Sequence, residues 1–94
     1  MKITMDQLIQ NKEKMCNLGC VRKELDTDCI PLPGMEIEDL AWKESQPIKR
    51  VVLNPDDNSY YINVPDRILP DASFFEEEVK MYESHGWTAL GRNR

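Results

Sequence analysis

Residues 47 to 64 have the sequence PIKRVVLNPDDNSYYINV, which contains the clearest secondary-structure pattern in the chain. Two runs rich in β-branched and aromatic residues flank the polar segment NPDDN, whose composition is typical of a turn. The pattern predicts a β-hairpin. In its second strand Tyr60, Ile62 and Val64 occupy alternate positions, so we expect these three side chains on one buried face.

The N-terminal segment carries a helix-start pattern. Thr4 followed by Gln7 fits a capping box, so we predict a helix from about Met5 that ends near the stop signal of Gly19. From residue 20 to residue 34 the periodicity fails and prolines interrupt the chain. This segment is therefore predicted to be an irregular connection.

A second capping box lies downstream of the hairpin. Ser73 followed by Glu76 marks a helix start, and Gly86 marks its end. The buried stripe of this helix is formed by residues at helical spacing, Phe75, Val79 and Tyr82. Residues 35 to 42 favour a short helix that ends before Pro47, although Met35, Ile37 and Asp39 also alternate as in a strand. A last strand over residues 87 to 90 completes the predicted elements.

These elements predict a single α+β domain over residues 1 to 94, with residues 90 to 94 as a frayed basic tail. Its helices pack on one face of a two- or three-stranded antiparallel sheet, in the order α-α-β-β-α-β. Because two strands alone are marginally stable, either the last segment adds a third strand or a homodimer completes the sheet. The predicted core consists of Leu8, Ile9, Met15, Leu40, Val52, Tyr60, Ile62, Val64, Phe75, Val79 and Tyr82.

The formal net charge of −5 comes from two acidic segments. Residues 24 to 44 contain seven carboxylates against one lysine, and residues 66 to 83 contain six against two basic residues. Such a field repels nucleic acid and favours cationic partners. The N-terminus lacks the apolar run of an export signal, and three cysteines, an odd number, favour reduced thiols. We therefore expect a cytoplasmic protein that does not enter a membrane.

Catalytic patterns are missing from the sequence. The chain has one histidine, His85, and neither a phosphate-binding loop nor a nucleophile-elbow motif, so we predict a protein that is not an enzyme and uses no cofactor. One alternative is a structural zinc module, because Cys16, Cys20, Cys29 and His85 make a complete Cys₃His ligand set. Another is a small oligomeric enzyme with a site shared between subunits, which would contain His85 and a cysteine.

Recognition of another protein is the function that the charge pattern favours. Carboxylates on an exposed face can engage a surface rich in arginine and lysine and steer association with it. The predicted partner-binding residues are Glu36, Glu38, Asp39, Asp71, Glu76, Glu77 and Glu83. In size, acidity and lack of catalytic motifs the chain resembles the small cytoplasmic proteins that bacteriophages use to inhibit host or defence enzymes. The resemblance is one of overall profile, implies an inhibitor and transfers no site. The charge pattern predicts that the chain occupies a basic surface, in the limiting case by imitating the backbone of DNA, and that it does not itself bind nucleic acid.

Overall fold

The computed structural model describes residues 1 to 12 and 16 to 90, without the side chain of Cys16. Its strands are β1 (Lys2–Asn11), β2 (Cys16–Asp26), β3 (Glu36–Ile37), β4 (Gln46–Pro47), β5 (Arg50–Asn54), β6 (Ser59–Asn63), β7 (Arg67–Leu69) and β8 (Thr88–Leu90). A 3₁₀ turn (Ala72–Phe74) leads into the helix α1 (Phe75–Ser84).

The centre of the molecule is a six-stranded mixed sheet built around β1. The main path has the order β5-β6-β1-β2-β8, and β7 pairs with the second half of β1. β1 runs antiparallel to β2 and parallel to β6 and β7. The small strands β3 and β4 pair with each other inside residues 27 to 49, a segment that we call the strap.

The predicted N-terminal helix is wrong, because these residues form the central strand β1. Apart from Asp6, its buried side chains recur at every second position, as in a strand with one covered face: Ile3, Met5, Gln7, Ile9 and Asn11. Two of the five are polar, which concealed the period of two in the sequence. Gln7, interpreted as a capping residue, instead points into the core.

Two further predictions fail in the segment that follows. Residues 20 to 26 are not irregular but belong to β2, in which Gly19 lies opposite Ile9 rather than ending a helix. Residues 35 to 42 do not form a short helix, since they contribute β3 and a turn of the strap. Pro47, expected to follow a helix, lies in β4.

The hairpin, the C-terminal helix and the last strand are confirmed as elements. β5 and β6 pair in register from Arg50 opposite Asn63 to Asn54 opposite Ser59. α1 buries its predicted apolar stripe, and Gly86 ends it with a φ of 91°, in the left-handed region that favours glycine. β8 pairs with β2 at one edge of the sheet.

α1 and the strap lie on one face of the sheet, and the core is enclosed between this face and the two covering segments. It comprises Ile3, Met5, Ile9, Val21, Ile48, Ile62, Val64, Leu69, Phe75, Val79, Tyr82 and Trp87. Leu8, Leu40 and Val52 were predicted in the core but are exposed, and Tyr60 is half-buried. Met15 and residues 91 to 94 of the predicted tail lie outside the described residues.

The predicted fold class is therefore wrong. In place of helices on a two- or three-stranded antiparallel sheet in the order α-α-β-β-α-β, the described chain has a six-stranded mixed sheet and one short α-helix. Among the described residues, none of the helices has the length and apolar composition needed to cross a membrane.

Candidate protein-binding surface

Asp39 anchors the middle of the strap. Its side chain is only 4% exposed, and its carboxylate accepts hydrogen bonds from Lys23 Nζ at 2.6 Å, Trp87 Nε1 at 3.0 Å and the Ala41 backbone N–H at 2.9 Å. Burial by itself raises the pKa of Asp39, but the hydrogen bonds, with Lys23 foremost, outweigh it and lower the pKa below its usual value. The carboxylate is thus occupied within the chain and is not presented to a partner, although the sequence placed it among the partner-binding residues.

Gln7 provides a second anchor, beneath the strap. Its Oε1 accepts from Trp42 Nε1 at 2.9 Å and from the Tyr82 hydroxyl at 2.6 Å, while its Nε2 donates to the Pro65 carbonyl at 2.8 Å. The ring of Trp87 lies 5.7 Å from that of Trp42 and 5.2 Å from that of Tyr82, between centroids. One buried amide therefore ties the strap, the sheet and α1 together.

Apolar side chains on the strap point away from these anchors into solvent. Leu40, directly after Asp39, is 83% exposed. The other large apolar side chains exposed on this segment are Ile30, Leu32 and Met35. They share the strap with the exposed carboxylates Asp28, Glu36, Glu38 and Glu44. The strap is thus a loop held by hydrogen bonds at Asp39 and Trp42, and it exposes large apolar side chains among negatively charged ones.

The carboxylates of α1 divide between two sides of the helix. Phe75, Val79 and Tyr82 face the core. Helical spacing places Glu78 on the side of the helix that faces the strap, and places Glu76 and Glu83 on the opposite side. The predicted residues Asp71, Glu76, Glu77 and Glu83 are all exposed. Asp71 also caps the 3₁₀ turn, since its Oδ1 accepts from the Ser73 backbone N–H at 2.9 Å.

A groove of about 590 Å³ separates the strap from α1. Leu40 and Glu44 line it on the strap side, and Glu78 and His85 on the helix side. Glu78 accepts a hydrogen bond from Arg67 Nε at 2.5 Å. The two acidic segments of the sequence therefore meet across this groove, through Glu44 and Glu78. The described residues that line it include no cysteine, so they do not form the cysteine–histidine pair of the enzyme alternative.

A second polar cluster lies on the opposite, open face of the sheet. Arg22 donates to both carboxylate oxygens of Asp6, at 2.7 and 2.9 Å, and the Tyr61 hydroxyl donates to the same carboxylate at 2.7 Å. Burial by itself raises the pKa of Asp6. The hydrogen bonds from Arg22 and Tyr61 have the larger, opposite effect, so the pKa of Asp6 lies below its usual value. Burial also raises the pKa of the neighbouring Cys20 thiol, which makes it a weak nucleophile.

The zinc alternative gains no support from the placement of its ligands. Cys20 lies on the open face of the sheet beside Arg22, whereas His85 lines the groove on the covered face. Cys29 is exposed in the strap, and the side chain of Cys16 lies outside the described residues. Within the described part of the chain, three or more metal-ligating side chains do not converge at any point.

Comparison of the chain with protein-family models, with curated proteins and with solved structures finds no significant match. The site is therefore interpreted from its own geometry. Sequence reasoning missed the anchors Gln7 and Lys23 and the ion pair of Asp6 with Arg22. The period of two in residues 3 to 11 was the signal that could have revealed Gln7, had polar residues been allowed on the buried face.

Proposed function

We propose that the chain is a non-enzymatic protein-binding module that uses its acidic strap to occupy a basic surface of a partner protein. The observation that supports this function is the side-chain pattern of residues 28 to 44. Leu40 is 83% exposed, and Glu38 and Glu44 lie on either side of it in the sequence. Leu40 shares the strap with the exposed Ile30, Leu32 and Met35. Exposed apolar area rimmed by polar and charged residues marks many recognition surfaces.

The anchors beneath the strap favour binding without a large entropic cost. Asp39 and Trp42 flank Leu40 and Ala41, and both are hydrogen-bonded to the sheet or its neighbours. A loop that is already ordered loses less conformational freedom when a partner binds it. The strap is thus suited to a preformed contact, in which Leu40 enters an apolar pocket and the carboxylates meet cationic side chains around it.

The charge of the surface indicates the chemistry of the partner. The exposed carboxylates of the strap, together with Asp71, Glu76, Glu77 and Glu83 near and on α1, disfavour anionic partners and steer cationic ones. In its most specific form the proposal is a phage-type inhibitor that acts in the cytoplasm on a host or defence enzyme. There the carboxylates would take the positions of phosphates in a nucleic-acid-binding cleft.

The test begins with capture of a partner on the immobilised full chain and continues with the purified pair. We expect the Kd to rise at least tenfold between about 50 and 500 mM salt, because salt screens exposed charges. Reversal of Glu38 and Glu44 to lysine should weaken binding at least tenfold, and Leu40→Ser should do so at both salt concentrations. For a partner that binds nucleic acid, duplex DNA should compete with the chain.

Reversal of two exposed carboxylates outside the strap, α1 and the hairpin turn, Glu24 and Asp26, is the matched control. It changes the net charge by the same amount and should alter the Kd less than threefold. A partner that binds the strap variants as tightly as the wild type, or that is indifferent to salt, would contradict the proposal. Circular dichroism of each variant separates loss of binding from loss of folding.

A further inference from the structure

The outer edge of β5 is an unpaired β-strand that suits a second copy of this chain. β5 ends the path of the sheet, and among the described residues no strand pairs with its outer side. Exposed edges of this kind template the addition of another strand. β5 pairs with β6 in a register without a bulge, and its five residues contain no proline. The strand therefore has no bulge or proline that would twist or block its edge, and its one charged residue, Arg50, stands at its first position.

The side chains of β5 leave apolar area to be covered. Val52 points to the open face of the sheet and is 38% exposed, while Leu53 is 54% exposed on the other face. Both lie near the middle of the strand, away from its polar ends. A strand laid against this edge would cover them from both faces of the sheet.

The ends of β5 carry opposite charges, and this selects the orientation of the added strand. Lys49 and Arg50 stand at its start, and Asp56 and Asp57 lie just beyond its end in the hairpin turn. An antiparallel copy, related by a two-fold axis at Val52, places Arg50 opposite Asn54 and beside Asp56 of the other chain. A parallel copy would place like charges opposite each other, which destabilises a sheet.

We propose that two copies of the chain associate through β5 as an antiparallel pair centred on Val52, which joins their sheets into one continuous sheet. Val52 then meets Val52, and Val51 meets Leu53. The contact is self-complementary, since each cationic end faces an acidic turn and the same interaction occurs twice. Of the strap, only its last residue, Lys49, lies near this contact. The proposed partner surface around Leu40 is not used in it, so the two proposals can fail separately.

Charge reversal at each end provides the decisive test. In Arg50→Glu, glutamate faces Asp56 of the other chain, and in Asp56→Lys, lysine faces Arg50, so each variant alone should self-associate at least tenfold more weakly. An equimolar mixture of the two variants restores opposite charges at both ends and should dimerise as the wild type does. Sedimentation equilibrium at low salt measures all four samples against the monomer mass of 11.0 kDa. Arg50 and Asp56 are exposed, which favours normal folding of both variants.

Cross-linking adds a geometric test. Cα atoms of directly opposed residues in an antiparallel pair are about 4.5 to 5.5 Å apart, within the range of a disulfide. In a background with the native cysteines replaced by serine, Val52→Cys should form a covalent dimer on oxidation, and Thr88→Cys on the opposite edge strand β8 should not. A wild-type mass that stays at the monomer value up to the solubility limit, a mixture that does not restore association, or equal cross-linking of both cysteines would overturn the proposal.

Discussion

At the scale of single residues, Gln7 illustrates how one polar side chain organises the covered face of the sheet. Its amide accepts from Trp42 and Tyr82 and donates to Pro65, so it uses three of its hydrogen-bonding positions inside the protein. Such a buried amide is stabilising only while all of its partners are present, because a buried group left without a partner costs more than the bond contributes.

We predict that Gln7→Leu lowers the free energy of unfolding by about 3 kcal/mol, since it leaves the Trp42 and Tyr82 donors and the Pro65 carbonyl without their partner. Tyr82→Phe removes one donor and leaves the amide in place, so it should cost only about 1 kcal/mol. Urea unfolding, followed by circular dichroism, measures both values. A Gln7→Leu variant as stable as the wild type would show that the amide does not hold the strap.

At the scale of elements, β2 and α1 approach each other closely at one glycine. A Cβ atom built on Gly19 would lie 2.8 Å from Cζ of the Phe75 ring, closer than such atoms normally approach. Phe75 is buried, so its ring has little room to move away. The absence of a side chain at Gly19 therefore permits the contact between the strand and the helix.

Gly19→Ala should accordingly destabilise the protein by about 1 to 3 kcal/mol, through overpacking against Phe75. The smaller side chain in Phe75→Leu should recover part of this loss, so the double variant should be more stable than the sum of the two single effects predicts. Thermal unfolding of the four proteins tests this coupling. Strictly additive effects would mean that the two residues do not pack as described.

The 3₁₀ turn that leads into α1 gives a second prediction at this scale. The sequence indicated a capping box from Ser73 to Glu76, but Asp71 makes the capping hydrogen bond, to the Ser73 backbone N–H. Asp71→Ala should therefore cost about 1 kcal/mol, and Ser73→Ala should cost less. Melting temperatures of the two variants compare the caps directly. A larger loss in Ser73→Ala would favour the capping box over the observed arrangement.

The elements that were predicted correctly are those whose secondary structure is determined by residues close together in the sequence. The hairpin carries β-branched residues around a turn of Asn, Pro and Asp, and α1 carries an apolar stripe at helical spacing. β1 and β2 lack such patterns, because their buried faces include Gln7, Asn11 and Lys23. These polar side chains are tolerated only because partners distant in the sequence satisfy them. The helix signals at Thr4 and Gly19 were local, and the sheet overrode them.

At the scale of the whole molecule, stability should depend on pH through two buried carboxylates on opposite faces of the sheet. Asp6 and Asp39 both have pKa values below the usual range, because their hydrogen bonds outweigh the effect of burial. The unfolded chain therefore binds more protons than the folded chain at acid pH. Their contribution to stability is complete above the unfolded value, near pH 4, and is lost as the pH falls through the lower folded values.

We therefore predict a nearly constant free energy of unfolding from about pH 7 to pH 5, with a steep fall below about pH 4. Asp39→Asn should be less stable at neutral pH and should show a shallower fall, because one of the two linked protons is gone. Glu77→Gln, at an exposed position of α1, controls for the loss of one negative charge. Urea unfolding across this pH range tests the prediction, and an unchanged slope in Asp39→Asn would contradict it.

The sequence by itself determined the hairpin, the C-terminal helix, the last strand and the presence of two acidic segments, since each follows from side chains close together along the chain. Only the tertiary structure decided that residues 2 to 11 and 16 to 26 are the central strands, because their pairing joins β1 to residues as distant as Leu69. The tertiary structure also decided which of the predicted carboxylates are accessible: Asp39 is buried against Lys23 and Trp87, whereas Glu36 and Glu38 are exposed. The physical reason is that burial and ion pairing are set by contacts across the fold, which charge and spacing in the sequence do not contain.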